Sequence, residues 1–196
     1  MFGGCYVMEI LKLVQDMQTE EYRYNRRREN LRRLCGYYLN DYQLDVLIAE
    51  TASNSQTMYA AQPRQSGTST ALLLKVYQSI FLNQTHNTKL IISRTNNQCR
   101  YMKEAMIELL NRSDLMGQVV RHNRYSIEFN FGTIIYFYNN NSQNLLGFRM
   151  NPEVFFDDYN TNDSTNDEML NVVTSTFPTH VHFFLAGIET YNIMYN

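Results

Sequence analysis

The sequence of 196 residues has few cysteines, little net charge and no long apolar run, and each shortage removes a class of answer. Cys5, Cys35 and Cys99 are irregularly spaced, which fits neither a disulfide framework nor a zinc site, so reduced thiols are expected. A formal net charge of -2 gives the whole chain no attraction for nucleic acid, and any such contact has to come from a local patch. No stretch of 18 apolar residues occurs, and the opening MFGGCYVMEILKLVQDM carries acids within its apolar stretch and no basic n-region. Neither a membrane span nor a signal peptide is indicated. No membrane partner is expected, and the chain is expected to be intracellular.

What is present suits one domain with a substantial core: 44% hydrophobic and 18% charged residues. Residues 1–38 form an arm. Val7, Ile10, Leu11, Val14 and Met17 recur at helical spacing, and RYNRRRENLRR then places Arg23, Arg26, Arg27, Arg28, Arg32 and Arg33 close together. A helix would spread these arginines around its circumference. One reading is a solvated helix balanced by Glu20, Glu21 and Glu29; the other is an arm that contacts phosphates or docks a partner subunit.

From residue 57 the pattern alternates. Strands are expected at 57–62, 89–95, 153–159 and 180–188, and helices at 69–82, 97–112 and about 164–175. A hairpin is expected from YSIEFN and GTIIYFY around Phe131 and Gly132. The Asn-rich run 139–144 reads as a loop. Strands alternating with helices predict an α/β fold: a mainly parallel sheet with helices on both faces, an inserted β-hairpin pairing at its edge and an N-terminal helical arm.

Three short stretches carry chemistry. The first is AAQPRQSGTST (60–70), a tight loop between a strand and a helix, where backbone N–H groups from Gln65 through Ser66, Gly67 and Thr68 to Ser69 can cradle an anion at the helix N-terminus. Ser69, followed by Thr70, stands where a phosphate-loop hydroxyl binds magnesium. Read without a ligand, the same turn is a helix N-cap. The second is EVFFDDY, apolar residues running into Asp157 and Asp158, the layout of a strand that projects a metal-binding aspartate and a general base. Without a ligand it is a solvated strand end with Asp158 capping the next turn. The third is LNDYQLDVL (39–47), where Tyr42 can stack on a base and Gln43 can hydrogen-bond its edge, although Leu39, Tyr42 and Val46 also read as the inner face of a helix.

In this order and spacing the three stretches resemble the ATPase domain of the large terminase subunit, the DNA-packaging motor of tailed phages and herpesviruses. The resemblance runs from about residue 39 to 190. PRQSGTST is similar to the family's Arg-Gln-x-Gly-Lys-Thr P-loop, and NRYSIEFNFGTIIYFYNNNSQNLLGFRMNPEVFFDD to its hairpin, Gly-Arg turn and Walker B strand. The resemblance implies a terminase-like P-loop ATPase domain over 39–196, with ATP and Mg2+ as ligands. By carry-over Arg64 would sense the terminal phosphate, and Tyr42, Gln43, Gln65, Ser66, Gly67, Thr68, Ser69 and Thr70 would bind nucleotide. Asp157 with Ser69 would hold the metal, and Asp158 would be the catalytic acid. It also implies double-stranded DNA, a portal or other terminase subunits and a homo-oligomeric ring as partners, at the procapsid portal vertex in the host-cell cytoplasm.

Departures limit the carry-over. Thr68 occupies the lysine position, Asp158 is one methylene shorter than the usual Glu, and LAGIETYN (185–192) lacks the family's coupling motif. The family's nuclease domain is absent from the 196 residues, as in a fragment or a reduced paralogue. A lost charge-assisted hydrogen bond costs about 1.5–3 kcal/mol of binding, whereas a cationic contribution to phosphoryl transfer is worth about 10³–10⁵ in rate. Binding is therefore expected to survive better than hydrolysis. Two functions follow: an ATPase domain coupling ATP to DNA translocation, or a catalytically degenerate paralogue serving as a binding or assembly module for a terminase, portal or DNA. A helicase-like ATPase fragment is a third reading; the hairpin before the Walker B strand and the Arg-Gln loop argue against it.

Overall fold

The computed structural model describes residues 39–48, 56–60, 67–82, 87–113, 115–141, 152–158, 168–169, 171–173, 181–185 and 193–195. The N-terminal arm, Arg64, Gln65 and Ser66 lie outside the described residues, as do Cys5 and Cys35. Cys99 is a free, buried thiol, pushed up by burial beside Ser93, as expected of an inert core cysteine.

An eight-stranded sheet runs in the order β3-β4-β5-β2-β6-β7-β1-β8. The strands are β1 (Gln56–Ala60), β2 (Thr88–Ser93), β3 (Val119–His122), β4 (Ser126–Phe129), β5 (Ile134–Asn139), β6 (Glu153–Asp157), β7 (Val181–Leu185) and β8 (Ile193–Tyr195). Neighbours from β5 through β2, β6 and β7 to β1 pair in parallel, while β3, β4 and β8 add antiparallel edges. The expected hairpin is β4–β5. Its loop closes through Gly132 N–H to the Phe129 carbonyl (3.0 Å), and Gly132 takes φ +87, a conformation that favours glycine. Strands β3 and β8 were not expected. Val120 and the rest of β3 after Val119 are exposed, so this strand has no apolar alternation to reveal it, and β8 has three residues paired only to β1.

Strand β2 is buried along its whole length because both faces are covered. On one face α1 (Asp41–Ile48), α2 (Thr68–Leu82) and α3 (Asn96–Arg112) pack Leu44, Leu72, Leu74, Met102 and Met106 against Ile91, Phe155 and Phe184. On the other, Met169 and Val173 cover Leu90, Ile92, Val154, Phe156 and Phe183. Helix α3 buries Cys99, Met102, Met106, Leu109 and Leu110, a three-and-four spacing that makes one stripe. Thr95 caps its start and Ser113 its end. Helix α2 is apolar nearly all round because it lies between the sheet and its helical neighbours.

Within this core one group of charges is buried. Glu153 Oε2 accepts from Lys89 Nζ (2.6 Å) and from the Ser79 hydroxyl, and Oε1 faces His182 Nε2 at 2.9 Å. Burial opposes the Glu153 charge, but the hydrogen bonds and charges of His182 and Lys89 hold its carboxyl well below the usual carboxylate range. Lys75, on the same side of α2 as Ser79, is lowered to about 8 by burial, with the Glu153 charge acting the other way. The cluster sits at the start of β6, at the opposite end of that strand from Asp157.

Candidate nucleotide site at the strand ends

In an open parallel sheet the carboxyl ends of the strands form the ligand crevice. Strands β1, β7, β6 and β2 present their ends side by side, and α2 begins beside them. This places residues distant in sequence together. Ser69 Oγ, in the first turn of α2, donates to Asp157 Oδ1 at 3.0 Å across 88 positions of chain. Two of the residues singled out from sequence, Ser69 and Asp157, are therefore in direct contact.

Asp157 is only 4% exposed, and Gln98 Nε2 donates to its other oxygen, Oδ2, at 2.7 Å. Burial pushes its carboxyl above the usual carboxylate range; the Ser69 and Gln98 hydrogen bonds act downward and the charge of Asp158 upward. Among the described residues no lysine, arginine or histidine pairs with it. A buried carboxylate held by two neutral donors is a group that gains most from a cation. Asp158 turns the chain with φ 58 and is exposed, so its side chain is open to solvent at the rim.

The stretch around Tyr42 and Gln43 is a helix, α1, closed by reciprocal caps: Gln43 N–H donates to Asn40 Oδ1 (2.9 Å) and Asn40 N–H to Gln43 Oε1 (3.1 Å). Gln43 Nε2 also donates to the Gly67 carbonyl at 3.3 Å, tying α1 to the loop before α2. One lone pair and one N–H of the Gln43 amide remain for a ligand. Tyr42 is half-buried against the core, and its hydroxyl lies by the Thr68 hydroxyl. Burial raises the phenol above its ordinary value, with Thr68 acting downward and the Asp157 charge upward, so Tyr42 stays neutral. Thr68 itself is 8% exposed. The lysine position is thus a small buried hydroxyl beside the Tyr42 phenol. Thr70, next along α2, is exposed.

Gly67 allows the close approach. Its φ is +80, its carbonyl accepts the first helical bond from Ala71 N (2.9 Å), and a Cβ there would stand 2.4 Å from Gln43 Nε2. Gly67→Ala is expected to lower stability by about 1–2 kcal/mol from the left-handed backbone alone. Gln43→Ala in the same chain should relieve the contact without restoring the backbone term. Urea midpoints of the two variants check this.

The parallel strands β5-β2-β6-β7-β1, with α2 beginning at Thr68 and Asp157 ending β6, define an arrangement shared with known folds. No family model and no curated protein matches the sequence. Among solved structures, the ATPase domain of the large terminase of Thermus phage P74-26 superposes with TM-score 0.55 at 15% identity, over 87% of this chain and 71% of that one. This is the fold of a large terminase ATPase domain. The large terminase of a thermophilic bacteriophage, solved in complex with ADP, shares the terminase fold with TM-score 0.52 and 17% identity, over 74% of this chain and 38% of that one. The α/β architecture expected from sequence is therefore present.

Gln98 was not singled out from sequence. Its signal was available only as a Thr95-x-x-Gln98 capping pattern, which says nothing about a partner 59 positions away.

Proposed function

We propose that this chain binds a nucleoside triphosphate, ATP, together with Mg2+ at the crevice formed by Gly67, Thr68, Ser69, Thr70 and Asp157. The observation that carries the proposal is the Ser69–Asp157 hydrogen bond at 3.0 Å, which joins the start of α2 to the end of β6. A hydroxyl and a carboxylate are hard oxygen donors of the kind Mg2+ takes, and Mg2+ in such sites completes its shell with phosphate oxygens and water. The donor set fits that role: among the described residues no cluster of three His, Cys, Asp or Glu could hold a metal without a ligand's help. Bound there, Mg2+ would neutralise phosphate charge. Ser69 directs its proton to Asp157 and so offers oxygen lone pairs outward, and Gln43 retains one donor and one acceptor for a base edge.

By the same proposal the domain couples nucleotide to double-stranded DNA within a packaging assembly containing a portal or other terminase subunits, at the procapsid vertex in the host cytoplasm. The support is the fold and the ordered motif series. Arg64 as phosphate sensor and Asp158 as catalytic acid belong to this proposal. A second reading, a degenerate binding or assembly module, draws on the burial of Thr68 beside the Tyr42 phenol, which leaves neutral hydroxyls where a P-loop has an ammonium.

Calorimetric titration with ATP, with and without Mg2+, separates these readings. The nucleotide reading requires binding that tightens with Mg2+, and absence of binding in either condition would sink it in favour of the assembly module. Asp157→Asn sharpens the test. It is expected to abolish the Mg2+ gain while raising the stability of the ligand-free protein by about 1 kcal/mol, because a neutral amide replaces a buried, unpaired charge. A stability loss comparable to that of a core polar deletion would mean the carboxylate serves the fold and not a cation.

A further inference from the structure

Among the described residues two helices start with the same capping pattern, and they use it differently. In α1 the third residue, Gln43, reaches back to the N–H of its cap Asn40 at 3.1 Å. In α3 the cap Thr95 accepts from Gln98 N–H at 3.2 Å, but the Gln98 side chain does not return to Thr95. It turns outward to Asp157 Oδ2 at 2.7 Å, the shorter of the two bonds that Asp157 accepts. The capping interaction open to this side chain has been given up for one at the candidate site.

We propose that Gln98 is a positioning residue for the cation seat, holding Asp157 in the orientation that presents its carboxylate with the Ser69 hydroxyl to a divalent ion. The inference rests on the nucleotide reading above. Each carboxylate oxygen has one protein donor, from α2 on Oδ1 and from α3 on Oδ2, so the plane of the group is held from both sides. The remaining lone pairs stay available for coordination. Such outer partners orient metal-binding carboxylates, and their loss typically costs about 10- to 100-fold in metal affinity. The link also ties the seat to the N-terminus of α3, which follows directly from β2, the strand paired to β6.

The test uses Gln98→Met, which keeps length and loses the donor, beside Gln98→Glu, which places a second carboxylate against the first. ATP affinity is measured with Mg2+ and in excess chelator. Gln98→Met should leave metal-free affinity within about twofold and cut the Mg2+-dependent gain by about 10- to 100-fold; Gln98→Glu should lower the thermal midpoint of the ligand-free protein, where two carboxylates meet without a cation, and Mg2+ should restore it. A gain retained in full by Gln98→Met overturns the assignment and leaves the nucleotide reading standing. A parent protein that binds no ATP in either condition overturns that reading and this one with it. In ligand-free protein, thermal midpoints of Gln98→Met, Asp157→Ala and the double variant should be non-additive, because either change breaks the same bond. Additive losses would show that the two side chains do not act together.

Discussion

Glu153→Ala is expected to cost about 3–5 kcal/mol of folding free energy, because it leaves Lys89, Lys75 and His182 buried without their counter-charge. Against a total of about 5–15 kcal/mol for a domain of this kind, that loss brings the protein close to unfolding at ambient temperature. The site is unforgiving for a geometric reason: both Glu153 oxygens are engaged, with Ser79 and Lys89 on one and His182 on the other. Denaturant titration monitored by circular dichroism would measure it, and a loss below 1 kcal/mol would mean water or relaxation compensates the lysines.

The same cluster sets a pH profile. Glu153 is depressed in the folded state, so its stabilisation is full above the unfolded carboxylate value of about 4.3 and is lost as pH falls below it. Lys75 is lowered to about 8, and the unfolded lysine titrates near 10.4, so the unfolded chain binds more protons between these values. Stability should therefore rise from about pH 8 towards pH 10, with Lys89, also lowered by burial, adding to the rise and the raised Cys99 thiol opposing it, and Lys75→Met should reduce it. A profile falling throughout this window would contradict the burial of Lys75.

The second large effect concerns the missing lysine. A restored charge-assisted contact to phosphate is worth about 1.5–3 kcal/mol, roughly 10- to 150-fold in ATP affinity. Thr68→Lys alone is not expected to realise it. The side chain leaves a position that is buried beside the Tyr42 phenol, so the ammonium has to pass that side chain or remain desolvated. Thr68→Lys combined with Tyr42→Ala should recover the gain, while Thr68→Lys alone should bind ATP little better than the parent and unfold at a lower temperature. If the single variant gains the full factor, Tyr42 does not occupy the lysine's path. Lys75 offers no substitute: it is buried in the core near the Glu153 charge, about two turns along α2.

These results divide according to distance along the chain. Helix α3 and the β4–β5 hairpin were legible because each buries one stripe or face, which writes a period of three to four or of two into the residues, whereas α2, β2 and β6 were legible as near-continuous apolar runs bounded by polar residues. Ser69 and Asp157 were legible as members of a motif series. Their contact was implied by the order of elements, since the strand ends of a parallel sheet converge.

The sequence by itself determined the alternation of strands and helices, the apolar strand running into Asp157, and Thr68 where a lysine would stand. Only the tertiary structure decided that Thr68 is buried beside the Tyr42 phenol, that Glu153 gathers Lys89, His182 and Ser79 with the Lys75 charge nearby, and that Gln98 leaves its own cap for Asp157. Apolar burial needs only the right face and leaves a periodic trace, whereas a polar pairing depends on which strand ends up beside which. Strand neighbourhood is a property of the folded sheet and has no period in the chain.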